Sequence, residues 1–318
     1  MSIASACEDF ASRAKAKIVE IMKTMWALGC LDSTVFFQLF DAQVKPMLLY
    51  ASELWGYTRL AVIESPHLFA CKRLLSVTNR TPNHMVYGDT GRYPLYIDSM
   101  IKCVRYWLKV GQMPLTRFPR QALEMQLRDL ELFGPDKNNW ASNVKDILYL
   151  HGFQDVWTNG VQNGAAFLRS LKRKIIENFQ EQWLLKLNTS ERFLVYRIFK
   201  WEHKVEKYIN DITIKKFRDC LIRFRFGINE LRANRRFLVG TILKDCPFCP
   251  GTLENEEHFL LNCPVYSGIR TKYLGTLLQQ VTTLKDILHD SQMDAARKVA
   301  MFVFYALNLR EEQMNGID

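Results

Sequence analysis

The sequence predicts a mainly α-helical chain that carries a small zinc-binding knuckle near its end. Three observations carry this. Apolar residues recur at helical spacing through most of the 318 residues. Glycine and proline gather at a few breaks between those periodic segments. Near the end, Cys246-x2-Cys249-x8-His258-x4-Cys263 packs three thiols and an imidazole into a short stretch.

The elements follow in order. Ser5 and Glu8 form a capping box opening a helix whose stripe is Phe10, Ala14, Ile18, Met22 and Met25. Ser33 caps a second helix that begins with Val35, Phe36, Leu39 and Phe40. It is expected to run to Trp55, kink near Pro46 and stop at Gly56. A third covers about 62–77, with Ile63, Leu68, Leu74 and Leu75 inward. Thr81-Pro82 starts another, and Gly88 with Gly91 marks a turn. Ile97, Ile101, Val104 and Leu108 keep helical spacing up to Gly111. Further helices are expected at 119–133, 139–151, 165–187, 190–209 and 212–226, punctuated by Gly134-Pro135, Gly152 and Asn188-Thr189-Ser190. A short strand pairing fits only around 236–245, and a last helix covers 293–310.

The knuckle has its own chemistry. Cys246 and Cys249 sit on a tight turn bent by Pro247, Pro250 and Gly251. From Glu254 to Cys263 the chain reads as a short helix with an acidic first turn, which suits the helix dipole. His258 projects from it, and Cys263 closes the set before Pro264 stops the winding. Three thiolates and an imidazole at these spacings are ligands for one tetrahedral Zn²⁺. Four protein donors leave no open position for water, so the expected role is structural.

The charge is uneven. The chain carries +10 overall, and residues 169–236 hold 18 Lys/Arg against 8 Asp/Glu, so that segment contains the whole excess. Its cations alternate with aromatics. Arg169, Lys172, Arg173, Lys174, Lys215, Lys216, Arg223, Arg225, Arg232, Arg235 and Arg236 are the candidates for phosphate contact. Phe224 and Phe226 read equally as core or as base-stacking rings, whereas Phe248, in the knuckle turn, is expected to be exposed.

Other patterns exclude function classes. No apolar run approaches the ~20 residues of a membrane span, and the first residues lack a secretory signal. Cys7, Cys30, Cys71, Cys103 and Cys220 are scattered singly, as free core thiols are in a reducing compartment. The chain therefore reads as intracellular, nuclear or cytoplasmic. There is no Asp-Asp pair, phosphate loop, dinucleotide fingerprint or His-Glu-x-x-His, and the histidines outside the knuckle (His67, His84, His151, His203, His289) lie singly. No catalytic residue can be nominated.

One resemblance ties these pieces together. The run Val44-Lys-Pro46-Met-Leu-Leu-Tyr50-Ala-Ser-Glu53-Leu-Trp55-Gly56 resembles a segment beyond the catalytic core in reverse transcriptases of non-LTR (LINE-type) retrotransposons. Phe69, Lys72 and Arg73, Thr81-Pro82-Asn83, and Tyr87 to Pro94 follow it as in that family. Arg223 to Gly227, Arg236, Cys246-Pro-Phe-Cys249 and the run from Glu257-His258 through Cys263 to Tyr266 are similar to its terminal cysteine-histidine domain. The resemblance covers nearly the whole chain. It implies a thumb-like helical region at 1–111, a helical connector at 112–235 that turns basic from 169, a CCHC zinc knuckle at 236–275, and terminal helices at 276–318. It also implies a partner in template RNA. The family's polymerase fingers and palm, with their paired aspartates, would precede Met1, so the expected chain is non-catalytic by itself. Its expected partners are RNA or single-stranded or duplex DNA, together with a separate reverse transcriptase catalytic chain, and no membrane. The alternative expectation is a zinc-stabilised protein-interaction adaptor with no nucleic-acid role.

Overall fold

Helical periodicity dominates the structure as it dominates the sequence. A computed structural model of the chain describes residues 3–29, 32–134, 138–235, 244–279, 287 and 293–315. The elements are α1 (Ile3–Ala27), α2 (Ser33–Leu39), α3 (Lys45–Leu48), α4 (Ser52–Trp55), α5 (Ala61–Leu74), α6 (Asn83–Thr90), α7 (Tyr96–Gly111) and α8 (Phe118–Phe133). They continue with α9 (Trp140–Leu150), α10 (Gln154–Asn159), α11 (Gly164–Thr189), α12 (Tyr196–Phe199), α13 (Tyr208–Asp211) and α14 (Lys215–Arg225). A two-stranded antiparallel hairpin follows, β1 (Asp245–Cys246) with β2 (Cys249–Leu253), then α15 (Ser267–Leu278) and α16 (Met293–Asn315). The fold is mainly α, and no helix among the described residues is long and apolar enough to cross a membrane.

The predicted stripe of α1 is inward, with Ala14, Ile18, Met22 and Met25 buried and Phe10 half-buried. The kink expected near Pro46 is a π-helical turn over Phe40–Val44, where Lys45 donates to Phe40 five residues back. Proline lacks an N–H and its ring crowds the preceding turn, so the helix widens just ahead of it. Ala51, at φ +52°, then breaks the helix before α4. Gly56 closes α4 where a Cβ would collide with the carbonyl oxygens of Ser52 and Ser99.

The chain forms two compact units: residues 1–24, 37–70 and 93–183, and residues 25–36, 71–92 and 184–318. Each draws on more than one of the linear segments laid out above. The first is centred on α7, α9 and α11, where Ile97, Ile101 and Val104 meet Val144, Ile147, Leu148, Leu171 and Ile175. In the second, Phe259 is packed 5.7 Å from Phe224, 4.8 Å from Tyr266 and 5.7 Å from Phe302, joining α14 and α16 to the segment after the hairpin.

Three sequence expectations need correction. Gly88 lies inside α6, and only Gly91, at φ +63°, makes the turn; a Cβ there would come 2.5 Å from Val205 N. The helix expected at 190–209 is broken into a 3₁₀ turn, α12, an extended stretch and α13. Long-range backbone pairing overrides its periodicity: Val205 bridges Thr90, and Glu206 N donates to Asp89 O at 2.9 Å. The strand pairing lies at 245–253 and wraps the Cys-Pro-Phe-Cys turn itself, while residues 236–243 fall outside the described residues.

Candidate metal centre

The hairpin brings the first two donors together. Cys246 and Cys249 face each other as partners across β1 and β2, with Pro247 and Phe248 in the turn. Asp245 Oδ2 accepts from Gly251 N at 3.1 Å and holds the far side of that turn. Asn255 Oδ1 then accepts from His258 N at 2.9 Å, as a capping asparagine does. A helical turn over His258–Asn262 carries the third donor inward, and Cys263 N closes on His258 O at 2.7 Å.

The four donor atoms lie within 4.8 Å of one another. The Sγ of Cys263 is 4.0 Å from that of Cys246 and 3.9 Å from that of Cys249. A tetrahedron with metal–sulfur bonds near 2.3 Å sets its sulfurs roughly 3.8 Å apart, so a metal ion fits with little movement. A disulfide would need them near 2.05 Å. His258 Nε2 is buried without a hydrogen-bond partner, an orphan that a metal would satisfy. Burial lowers the His258 pKa and so keeps the ring in its neutral, ligating form. Burial also pushes the Cys246 thiol up, and the Cys263 thiol up to about 12, so thiolates here require a cation among them. The cluster can hold one metal ion with all four positions filled by protein.

Two arginines brace it from the C-terminal side. Arg270 of α15 donates from Nε to Leu260 O at 2.7 Å and from Nη2 to Cys263 O at 2.8 Å. Arg310 of α16 makes a two-point pair with Glu254. Glu254, 1% exposed, also accepts from Arg232 N at 2.8 Å. By sequence the acidic run after residue 253 is suited to a helix dipole. Nothing local shows which of its carboxylates turns inward, because the arginine that selects it lies in the last helix.

The residues nominated for phosphate contact are separated. Arg169, Lys172, Arg173 and Lys174 belong to the first unit, and the others described belong to the second. On α11, Lys172 reaches Asp98 at 2.7 Å and Arg173 lies 3.8 Å from Glu177. Lys174 sits beside His151 on the other flank, and burial with the nearby Arg59 and Lys174 lowers that histidine's pKa. Lys215 pairs with Asp219 and donates to Ser76 Oγ at 3.0 Å, while Lys216 lies over the rings of Phe217 and Phe304. Arg223 is exposed. Arg232 donates to Asp245 O at 3.1 Å, which places it at the edge of the cysteine cluster, and Arg235 donates to Glu230 at 3.1 Å. Arg236 lies outside the described residues. Phe248, expected to be exposed, is instead half-buried because its ring packs edge-on to Tyr266 at 6.3 Å, and Phe224 and Phe226 are core.

Arg225 corrects the sequence reading. It is 1% exposed, donates to Glu206 at 3.0 Å and lies 3.9 Å from Asp89. Asp89 is fully buried and accepts from Tyr196 Oη at 2.6 Å and from Tyr208 Oη, while Lys200 pairs with the same Glu206. Burial raises the Asp89 pKa, and the Arg225 charge opposes that rise. An arginine enclosed this way cannot meet a phosphate. Its place on the apolar side of α14, three and four residues after Ile222 and Leu221, sends it inward, and the acidic partners make burial tolerable.

No protein-family model, no curated protein and no solved structure matches this chain.

Proposed function

We propose that this chain is a non-catalytic, zinc-stabilised nucleic-acid-binding module, with RNA as its principal partner. In this reading it corresponds to the C-terminal part of a non-LTR retrotransposon reverse transcriptase. The observation that carries the reading is the closed Cys246–Cys249–His258–Cys263 set, whose donors lie within 4.8 Å of one another. Three sulfurs and an imidazole select Zn²⁺ over hard cations, and four protein donors leave it a structural part. The metal would fix the hairpin, which carries Phe248 and accepts from Arg232 at Asp245 O, to the helical turn that follows. The cations that the fold leaves without an ion pair among the described residues support a polyanionic partner: Arg169, Lys174 and Arg223. The retrotransposon assignment rests on the sequence segments from Val44 to Gly56 and from Arg223 to Tyr266.

The test is a mobility-shift titration of the zinc-loaded chain with single-stranded RNA, single-stranded DNA and duplex DNA at rising salt. Binding should weaken steeply, by roughly 0.7 in log K per log salt for each phosphate contacted on a single strand. No shift of any of the three at low salt ends the reading.

A second reading, a protein-interaction adaptor, is favoured by one observation. On α8, Phe118, Met125 and Leu132 are 84%, 66% and 69% exposed and recur at heptad spacing along one side of the helix. The same titration separates the two, because an adaptor of this kind shifts no nucleic acid.

A further inference from the structure

We infer that α7 and α11 carry a track for a nucleic-acid phosphate backbone, formed by Lys45, Lys102, Arg105, Lys109, Arg169 and Lys172. It rests on the nucleic-acid reading above and places that partner's backbone on the first unit.

Asp98, Lys102, Arg105 and Lys109 follow one another at steps of four, three and four residues, so they share one side of α7. The opposite side, with Met100, Cys103 and Val110, is buried. Arg105 and Lys109 are exposed and Lys102 is half-buried, its Nζ donating to Leu49 O at 2.9 Å. α11 lies antiparallel alongside. Its Lys172 meets Asp98 at one end of the stripe, and at the other a Cβ on Gly164 would stand 3.5 Å from Leu108. Arg169, one turn before Lys172 on the same side of α11, therefore falls beside the middle of the stripe. Lys45 converges on Asp98 from α3.

The balance of charge points outward. Six cations stand against Asp98, the one acidic residue of α7, and Asp41, which is 4.0 Å from Lys45. Arg105, Lys109 and Arg169 make no ion pair among the described residues. Arg105 and Lys109 are like charges one helical turn apart, an arrangement that weakens a helix unless an anion lies across it. From residue 98 to residue 109 the stripe rises about 16 Å, the length of roughly five phosphates along one duplex strand. A line of that length suits a polymer rather than a single phosphate group.

The test uses the zinc-loaded full chain and a short fluorescent single-stranded RNA, with the variant Lys102→Gln/Arg105→Gln/Lys109→Gln. Affinity at low salt should fall about tenfold or more, and the salt slope should become shallower by about 2, for three lost phosphate contacts. Lys102→Arg/Arg105→Lys/Lys109→Arg should keep the wild-type slope and melt like the wild type, while the glutamine variant, which loses the Lys102 bond to Leu49 O and is relieved of the Arg105–Lys109 repulsion, should still unfold in one cooperative transition. If the wild type binds and the glutamine variant binds with an unchanged slope, the track is overturned and the functional reading stands. If the wild type binds no nucleic acid, both fall. Polyglutamate or anionic vesicles competing with RNA as strongly as unlabelled RNA does would overturn the nucleic-acid assignment of this surface.

Discussion

Arg310 in the last helix closes on Glu254 beside the cysteine cluster, with Nε 2.7 Å from Oε1 and Nη2 2.9 Å from Oε2. Both side chains are buried, at 7% and 1% exposure, and two parallel charge-assisted bonds fix their orientation. Glu254 also accepts from the backbone at Arg232, so one carboxylate joins the approach to the hairpin, the hairpin's exit and α16. Burial by itself would lower the Arg310 pKa, and the Glu254 carboxylate reverses this and raises it.

Arg310→Met leaves a buried carboxylate with one backbone donor and no counter-charge. It should lower stability by about 3–5 kcal/mol, read from urea denaturation, because the uncompensated charge dominates. Arg310→Met/Glu254→Gln should recover much of that loss. If the single variant unfolds at the wild-type midpoint, the pair does not brace the clasp.

Cys249→Ser should abolish bound zinc, measured as metal per chain by mass spectrometry, where the wild type should hold one ion. Site formation in small zinc modules contributes roughly 10–16 kcal/mol, so the hairpin and the turn carrying His258 should unfold with the metal gone. A chelator should reproduce the effect on the wild type. Cys220→Ser, outside the cluster, should keep full metal content.

Arg223 and Arg225 should separate function from stability. Arg225→Met leaves the buried Asp89 without its nearest cation and Glu206 with Lys200 alone, and should destabilise by about 3–5 kcal/mol. Arg223→Gln changes an exposed residue and should move stability by no more than about 0.5 kcal/mol while weakening RNA binding. Equal stability losses in the two variants would contradict the placement of α14.

Acid should destabilise the second unit through its histidines. Burial, with Lys186 nearby, holds His84 at about 4, and burial with Lys200 nearby holds His203 at about 4. Unfolded imidazoles titrate near 6.5. Between those values the unfolded chain binds more protons, so stability is full above about pH 6.5 and is lost as pH falls toward 4. Denaturation of His84→Gln across this window should give a flatter acid limb than the wild type. An identical limb would mean that His84 is not held neutral.

Much of the fold was legible because helical patterning is local. The stripe of α1 and the sequence Ile97, Ile101, Val104 state which side of each helix turns inward. The metal cluster was legible for a related reason: its donors lie within one short stretch, so a hairpin and one helical turn suffice to join them. Arg225 shows where such reading stops. In Arg223-Phe224-Arg225-Phe226 the alternating pattern suggests two equivalent cations. A helix rotates residues two apart by about 200°, so one is exposed and the other enters the core. The break after α12 was hidden because it depends on the Glu206 N to Asp89 O bond and the Thr90–Val205 bridge, between segments far apart in sequence.

The sequence by itself determined the helical class, the donor set and the location of the charge excess, since each depends on residue type and short spacing. Tertiary structure alone decided which cations remain available. It enclosed Arg225, tied Lys172 to Asp98, and sent Arg270 and Arg310 behind the clasp. The physical reason is that a charge's fate depends on its desolvation and on its partner, and both are set by chain segments remote from it.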